Sequence, residues 1–241
     1  PHEESADSLT LSRPKPYALV HTPVPVKKAM QMPKAAEALE AEWKKLEDKK
    51  AWLVDKVRSK RSIMAEARNT GSTVHFGSLM DLCFEKHSEQ PIENRKYKGR
   101  VVFRGDQVKD QENTHAVFNE QTASSSHMAS AKLLDAMARM PGFDGEDADA
   151  VGAYTQVVLA DMDGSVEAWI TLPPHRRPNN WKKLQYDDPV VPLRLNLYGH
   201  PKAGLHWGQH CAKNTLRNGF EKIRGWDSVY QNKSKKLWLS V

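Results

Sequence analysis

The residues with the clearest chemical potential lie between Asp149 and Tyr154, where a carboxylate is followed five positions later by an aromatic ring. The residues between them, Ala150-Val-Gly-Ala153, are small enough to let a phosphate group approach the backbone. A nucleotidyl-transferring site needs an acid that holds a divalent metal, an open backbone and a ring that supports the sugar. The alternative is that Asp149 is one more surface acid in the acidic stretch Asp144-Gly-Glu-Asp-Ala-Asp149.

Basic residues form a second chemical feature, in the strand-like stretch from Tyr97 to Asp106. Lys98, Arg100 and Arg104 occupy positions of the same parity, so a strand would project all three side chains to one face. Guanidinium and ammonium groups in such a row can bind phosphate oxygens. A solvated basic edge strand is the alternative, because lysines commonly prevent strands from pairing edge to edge.

Composition agrees with an acidic partner but excludes few classes. The 241 residues carry a net charge of +6 with a pI near 9.2, which makes nucleic acid the first candidate partner, although many soluble proteins are mildly basic. A hydrophobic content of 39% with 7 Trp indicates a buried core. The two cysteines, Cys83 and Cys211, are too few for a disulfide framework. No apolar run reaches the ~20 residues that span a bilayer, no secretory leader is visible, and the start at Pro1 is typical of a piece of a longer polypeptide.

The sequence pattern predicts a mixed α/β chain behind these groups. A polar, proline-rich lead-in covers residues 1–26. Apolar residues at helical spacing predict helices over 33–50, 60–69, from Ser124–Ser126 to about Met140, and from Pro201 to about Asn218. Apolar runs predict strands over 52–54, 97–106, 157–159, 166–172 and 235–241, with Asp163-Gly164 as a hairpin turn and Asp149 at the tail of a strand-like run.

Metal-binding motifs other than the carboxylate are weak. His206 and His210 share a helix face at i, i+4, and Cys211 lies beside them. No Cys-x-x-Cys pair supplies the second half of a zinc site, so zinc is disfavoured. Asp161-Met-Asp-Gly164 is too short for a calcium loop, and a turn accounts for it better.

Several sequence blocks together resemble the reverse transcriptase domain of Ty1/copia-type retrotransposons, from about Lys27 to Val241. The family's first catalytic segment has the form Asp-Val-Lys-Thr-Ala-Phe, and retroviral relatives have Asp-x-Gly-x-Ala-Tyr, which aligns with Asp149–Tyr154 without a gap. The other blocks keep the family's order: Trp52-Leu-Val54, Lys98-Gly-Arg-Val-Val102 with Gly105, Trp169-Ile-Thr-Leu-Pro-Pro174, Leu193-Arg-Leu-Asn-Leu-Tyr-Gly199, Trp207 and Gly219-Phe220. Each block is modest alone, whereas their order and spacing are specific.

The resemblance implies an α/β (α+β) polymerase fingers–palm fragment, with an antiparallel palm sheet backed by helices. Residues 27–140 would form a fingers-like part and residues 141–241 a partial palm of the same domain. The implied activity is RNA-directed DNA synthesis, in which two Mg²⁺ ions promote nucleotidyl transfer from a dNTP to a primer. RNA template, DNA primer and dNTPs would be the partners, without a membrane. Integrase, protease and ribonuclease H (RNase H) domains would accompany it in a polyprotein, in the cytoplasm or virus-like particles, with access to the nucleus.

The resemblance also implies a role for each candidate residue. Asp149 would bind both metal ions, and the Ala150 carbonyl would add an oxygen ligand. Tyr154 would lie under the deoxyribose and exclude a ribose 2′-hydroxyl. Arg100 would bind the triphosphate through its guanidinium, and Lys98 would add a point charge. Three further basic residues would contact the nucleic-acid backbone: Arg104, Arg194 and Lys202.

Two departures from the family pattern limit the implied activity. The family's Gln that helps to seat the template–primer is replaced by Lys202. The family's next motif, Tyr-Val-Asp-Asp, would follow the strand that ends at Val241, so this chain contains one of the three catalytic acids. We therefore expect residues 1–241 alone not to polymerise. A non-catalytic nucleic-acid-binding remnant of a mobile element, or a host interaction module with a polymerase-like core, stays as an alternative.

Overall fold

A computed structural model describes residues 20–118 and 126–241 of the chain. These residues divide into two compact units, and two strands, over residues 74–86 and 96–103, contribute residues to both. Of the described residues, unit 1 contains 20–44 and Asp81–Val101, and unit 2 contains Lys45–Met80, 102–118 and 126–241.

Five α-helices lie within the described residues: α1 (Val26–Ala29), α2 (Pro33–Asp48), α3 (Lys60–Thr70), α4 (Met128–Ala138) and α5 (Ala203–Arg217). The helices predicted over 33–50, 60–69 and from Pro201 to about Asn218 are confirmed as α2, α3 and α5. Gly71 and Gly219 take φ angles of 65° and 81° just after α3 and α5. This left-handed conformation ends helices and is easily adopted by glycine, which is why the ends were predictable.

Helix α4 begins later than predicted. His127 occupies its N-cap position, without a side-chain hydrogen bond. The predicted caps Ser124 and Ser125 lie outside the described residues, and Ser126 precedes the cap. The hydroxyl of Ser130 donates to the His127 carbonyl at 2.6 Å, so a serine inside the first turn contacts the cap residue.

The described residues contain nine strands: β1 (His21–Val24), β2 (Arg58–Ser59), β3 (Val74–Lys86), β4 (Lys96–Phe103), β5 (Glu167–Thr171), β6 (Pro189–Pro192), β7 (Glu221–Lys222), β8 (Val229–Asn232) and β9 (Leu237–Ser240). The strands predicted over 97–106, 166–172 and 235–241 are confirmed as β4, β5 and β9 with shorter bounds. β1 lies within the region predicted as a lead-in, of which residues 1–19 fall outside the described residues.

The strands predicted over 52–54 and 157–159 are wrong. Each makes a single bridge, Trp52 to Leu193 and Val158 to Leu195, and a 3₁₀ turn interrupts the chain directly afterwards. The predicted hairpin at Asp163-Gly164 is wrong as well, because β5 pairs in parallel with β3 and antiparallel with β6. The turn itself exists, since Gly164 has a φ of 64°.

Unit 1 is built around β1, the second half of β3 and the two first helices. β1 pairs antiparallel with β3 from Val24–Cys83 to His21–Lys86. Its core contains Ala29, Ala35, Leu39 and Cys83. Gly99 on β4 is needed at a close crossing, because a Cβ there would overlap the Ala38 carbonyl of α2. The indole Nε1–H of Trp43 donates to Asp81 at 2.6 Å and fixes α2 to β3.

Unit 2 contains a mixed sheet and a separate three-stranded sheet. The first half of β3 pairs in parallel with β5, β5 pairs antiparallel with β6, and β6 pairs antiparallel with β2. The prediction of an antiparallel sheet is therefore wrong at the β3–β5 pair. Helix α3 packs on this sheet in one core cluster: Ile63, Ala67, Val74, Phe76, Trp169 and Val190. β7, β8 and β9 form an antiparallel sheet in that order.

Among the residues that the structure describes, every helix is too short or too polar to cross a membrane.

Candidate functional site

Asp149 lies in an exposed segment of unit 2. All residues from 141 to 150 are exposed, and residues 143–150 form neither helix nor strand. The prediction that Asp149 ends a strand is wrong, because this acidic stretch lacks the alternating apolar residues that would hold it in a sheet. Asp149 makes no hydrogen bond or ion pair with any residue that the structure describes. Asp149 is therefore exposed without a partner in the described part of the chain, whereas the Ala150 carbonyl accepts the Ala153 N–H at 3.1 Å as part of the next turn.

Tyr154 is held more firmly, by a short turn that follows Asp149. Gly152 takes a φ of 63°, and the 3₁₀ helix Ala153–Gln156 begins directly after it. The hydroxyl of Thr155 donates to the Gly152 carbonyl at 2.8 Å. Lys49 donates to the same hydroxyl at 2.8 Å. These bonds fix the turn that carries Tyr154.

The ring of Tyr154 contacts the ring of Tyr198. Their centroids lie 4.5 Å apart at an interplanar angle of 62°, the edge-to-face arrangement that aromatic rings favour. Tyr198 belongs to the block Leu193–Gly199, so two of the sequence blocks meet at this pair. Tyr198 is also tied to the end of β4, because the Phe103 N–H donates to its carbonyl at 2.8 Å.

Two glycines bring the backbone of Tyr198-Gly199 against the end of β4. Gly199 has a φ of 84°, and a Cβ there would overlap the carbonyl oxygen of Phe103. A Cβ on Gly105 would in turn overlap the carbonyl oxygen of Gly199. Residues from three separate sequence blocks, Phe103–Gly105, Tyr154 and Tyr198-Gly199, therefore converge in unit 2. We call this convergence the tyrosine junction.

Basic residues predicted to contact nucleic acid have different surroundings in unit 2. Arg104 follows the end of β4 and pairs with Asp106 at 3.2 Å, so it does not continue the strand face of Lys98 and Arg100 as predicted. The Arg194 guanidinium donates from Nε to the Lys50 carbonyl at 2.7 Å, beyond the end of α2. Half-buried Lys202 occupies the N-cap position of α5.

Lys98 and Arg100 lie in unit 1, in a crowded group of cations. Burial lowers the pKa of the Lys98 ammonium, and the nearby charges of Arg100 and Lys86 lower it further. Glu42 opposes this shift and lies 3.9 Å from the Arg100 guanidinium. We call Lys86, Lys98 and Arg100 the cation cluster. Glu42 already supplies one negative charge beside them, and the repulsion that Glu42 does not offset favours a further anion.

Lys86 was not a candidate from the sequence. It ends β3, whereas Lys98 and Arg100 lie on β4, so only the pairing of these strands brings the three together. The signal in the sequence was a single Lys after an apolar run, which predicts nothing specific about phosphate binding.

The residues present do not form a two-metal site by themselves. Among the described residues, no group of three or more His, Cys, Asp or Glu side chains could hold a metal ion. Asp149 supplies a hard oxygen ligand of the kind that Mg²⁺ prefers, but a pair of ions needs more carboxylates than one. We attribute no catalytic step to this chain alone. His210, which shares a helix face with His206, forms a side-chain hydrogen bond with Asn214 at 3.0 Å.

Comparison with known proteins gives one informative similarity. Over 76 residues, 31% of this chain, the sequence is 29% identical to the Ty1-MR1 Gag-Pol polyprotein of Saccharomyces cerevisiae. The match spans only 4% of that polyprotein's length. No family model matches the chain, and no solved structure matches it. The chain is a mixed α/β protein whose similarity to a retrotransposon polyprotein is consistent with an origin in a mobile element.

Proposed function

We propose that this chain is part of the reverse transcriptase domain of a Ty1/copia-type retrotransposon polyprotein, with the fingers and a partial palm. The observation that carries the proposal is the tyrosine junction. Two blocks that resemble family motifs, and that lie far apart in the sequence, meet in space at Tyr154 and Tyr198. The partial similarity to a Gag-Pol polyprotein supports the same origin.

Tyr154 is the proposed sugar gate. Its ring is braced by Tyr198, which favours a fixed position under a bound sugar. In a version of the domain that is competent for primer extension, Tyr154→Ala should admit ribonucleotides. Tyr186→Ala, which alters an exposed tyrosine elsewhere in unit 2, is the control. Unchanged discrimination between ribo- and deoxyribonucleotides in Tyr154→Ala would contradict the role.

The cation cluster is the proposed triphosphate site. Arg100 offers a guanidinium that can bind two phosphate oxygens, and Lys98 and Lys86 add point charges. Arg100→Gln should weaken binding of a fluorescent dNTP on the order of tenfold, because it removes charged hydrogen bonds. Lys34→Gln changes the same charge at an exposed position of unit 1 and should leave binding unchanged. Equal losses in both variants would show only general attraction to a basic protein.

Template and primer contacts are proposed for Arg104, Arg194 and Lys202, with an RNA–DNA hybrid recognised through its backbone and shape. Such binding should weaken steeply with salt. We propose the cytoplasm, including virus-like particles, as the location, with integrase, protease and ribonuclease H in the parent polyprotein. Mg²⁺ would serve the complete domain, in which Asp149 and Ala150 are ligands. We expect no primer extension by residues 1–241.

A non-catalytic nucleic-acid-binding remnant is the second candidate, and the exposed position of Asp149, without a partner among the described residues, favours it. The two candidates differ in one measurement on the 241-residue chain. A remnant binds an RNA–DNA hybrid in a salt-dependent manner but shows no Arg100-dependent affinity for dNTPs. Absence of hybrid binding at moderate salt would contradict both and favour a host interaction module.

A further inference from the structure

Three buried histidines form a cluster in unit 2, directly beside the tyrosine junction. His75, His200 and His206 are 9%, 8% and 1% exposed. The ring centroid of His200 lies 5.6 Å from that of His206 and 5.3 Å from that of Phe103. His75 packs edge-on against Phe118 at 5.0 Å. The cluster therefore joins β3, the end of β4 and the start of α5.

The cluster is built for neutral rings. Both ring nitrogens of His206 are buried, and neither has a hydrogen-bond partner among the described residues. Nδ1 of His200 accepts a hydrogen bond from the Lys202 N–H at 3.3 Å, which requires that nitrogen to be unprotonated. A proton added to His206 would place a buried charge without a bond to stabilise it.

The charged groups that face the cluster do not compensate for added protons. Asp110 acts on His75 alone, and its charge favours a proton there. Lys202 acts on all three histidines and disfavours protons on each of them. The three rings also repel one another once charged, since His206 and His75 both act on His200. The charges therefore oppose protonation of His200 and His206, whereas at His75 Asp110 outweighs Lys202 and burial alone disfavours the proton.

The same arrangement does not fit a metal ion. The centroid of the apolar Phe118 ring lies 5.0 Å from that of His75 and 6.5 Å from that of His200, so Phe118 packs against both histidines. Within the described part of the chain these residues do not form a group that could hold a metal. We therefore consider the binding of protons to the three rings, rather than the binding of a metal ion.

The pKa values follow from this geometry. Burial lowers the pKa of His200 to about 3, with smaller contributions from His206, His75 and Lys202. Burial also lowers the pKa of His206, helped by Lys202, and that of His75, partly opposed by Asp110. In the unfolded or opened chain each ring returns to its ordinary value near 6.5. The stability that the neutral rings contribute is thus fully present above pH 6.5 and is lost as the pH falls below it.

We propose that His75, His200 and His206 act as an acid-sensitive latch that holds the segment Asn196–Lys202 against the end of β4. At neutral pH the uncharged rings pack together and keep Tyr198 at the tyrosine junction. In mild acid, protons bind the opened form, the segment separates, and Tyr198 leaves Tyr154. This latch goes beyond the proposed function and does not depend on it, because it concerns only the folding of unit 2.

Urea unfolding of the 241-residue chain between pH 8 and pH 5.5 tests the latch. Each histidine that stays neutral in the folded state raises the unfolding equilibrium constant by up to about tenfold per pH unit below 6.5. His206→Leu removes one such group and should reduce the pH dependence by up to that tenfold factor per unit. Leucine is apolar and similar in size to histidine, so this substitution leaves no buried nitrogen without a hydrogen-bond partner. His175→Gln, at an exposed position, should leave the pH dependence unchanged.

A second variant and an NMR titration complete the test. If His206→Leu does not fold, His200→Phe removes a second titrating ring of the cluster and should reduce the pH dependence in the same way. NMR signals of the histidine rings in the native chain should show His200 and His206 without a titration near pH 6.5. A native His206 that titrates near that value without unfolding, or variants with the pH dependence of the wild type, would overturn the latch.

Discussion

Two segments of unit 2 carry blocks that resemble the same family, yet their surroundings differ sharply. Around Asp149, residues 141–150 are all exposed. Around Tyr198, Asn196 and Leu197 are 0% and 1% exposed. The difference teaches that resemblance to a motif does not fix a side chain in space. Tyr198 is itself 38% exposed, but its buried neighbours and its ring contact with Tyr154 hold it in place. Asp149 has no hydrogen bond or ion pair with any described residue.

The packed segment is held by backbone as well as side chains. The amide Nδ2 of Asn196 donates to the Ala203 carbonyl at 3.1 Å, which joins the segment to the start of α5. The Phe103 N–H donates to the Tyr198 carbonyl, which joins it to β4. A segment tied at both ends can position a ring before any ligand arrives. The segment around Asp149 has its own contacts, such as the Phe143 ring 6.1 Å from that of Trp238 and the Ala153 N–H bond to the Ala150 carbonyl. The Asp149 carboxylate itself has no hydrogen bond or ion pair with a described residue, so a ligand would have to position that side chain.

The largest predicted effect compares two glycines with the same backbone conformation. Gly199 and Gly142 have φ angles of 84° and 82°, but only Gly199 lies against another backbone carbonyl. Gly142→Ala should cost about 1 kcal/mol in free energy of unfolding, from the left-handed conformation alone. Gly199→Ala should cost about 3 kcal/mol or more, because the overlap with Phe103 adds to that strain. Urea unfolding of both variants measures the difference.

Equal losses of unfolding free energy in Gly142→Ala and Gly199→Ala would contradict the contrast drawn between the packed and the exposed segment. That result would show that the approach of Gly199 to β4 contributes nothing beyond its own backbone conformation. Gly164→Ala supplies a second control, since Gly164 also has a positive φ and open space around it.

A smaller effect is predicted for the contact between the two tyrosines. Tyr154→Leu, Tyr198→Leu and the double variant form a thermodynamic cycle in which area burial largely cancels. We expect a coupling free energy of about 1 kcal/mol, the value typical of an edge-to-face aromatic pair. Additive losses would indicate that the rings are neighbours without a stabilising interaction.

Local patterns predicted the helices well and the sheet poorly. The period of apolar residues and a following glycine marked α3 and α5, because both signals lie within a few residues. The parallel pairing of β3 with β5 joins residues about 90 positions apart, such as Val74 and Glu167, and no local pattern encodes it. The strand predicted over 157–159 failed for the same reason, since three apolar residues do not specify a partner.

In the candidate site, too, local sequence patterns were predictable and long-range contacts were not. The sequence blocks containing Tyr154 and Tyr198 both resemble motifs of one family. The contact between the two rings could be seen only in the folded structure. Lys86 was missed because the pairing of β3 with the next strand, β4, was not predicted. The histidine cluster was missed because His75 and His200 lie on elements far apart in the sequence. His206 drew attention only through its spacing from His210, whereas its ring neighbour is His200.

The smallest predicted effect concerns Asp149 itself. Asp149→Asn should leave the urea midpoint of the 241-residue chain unchanged, because the side chain is exposed and has no partner among the described residues. Asp81→Asn is the contrasting variant, since Asp81 accepts the Trp43 hydrogen bond and its replacement should lower the midpoint. A lowered midpoint for Asp149→Asn would show that the acid has a structural partner and would weaken its assignment as a metal ligand. An unchanged midpoint leaves the carboxylate free to act on a ligand, as the proposed function requires.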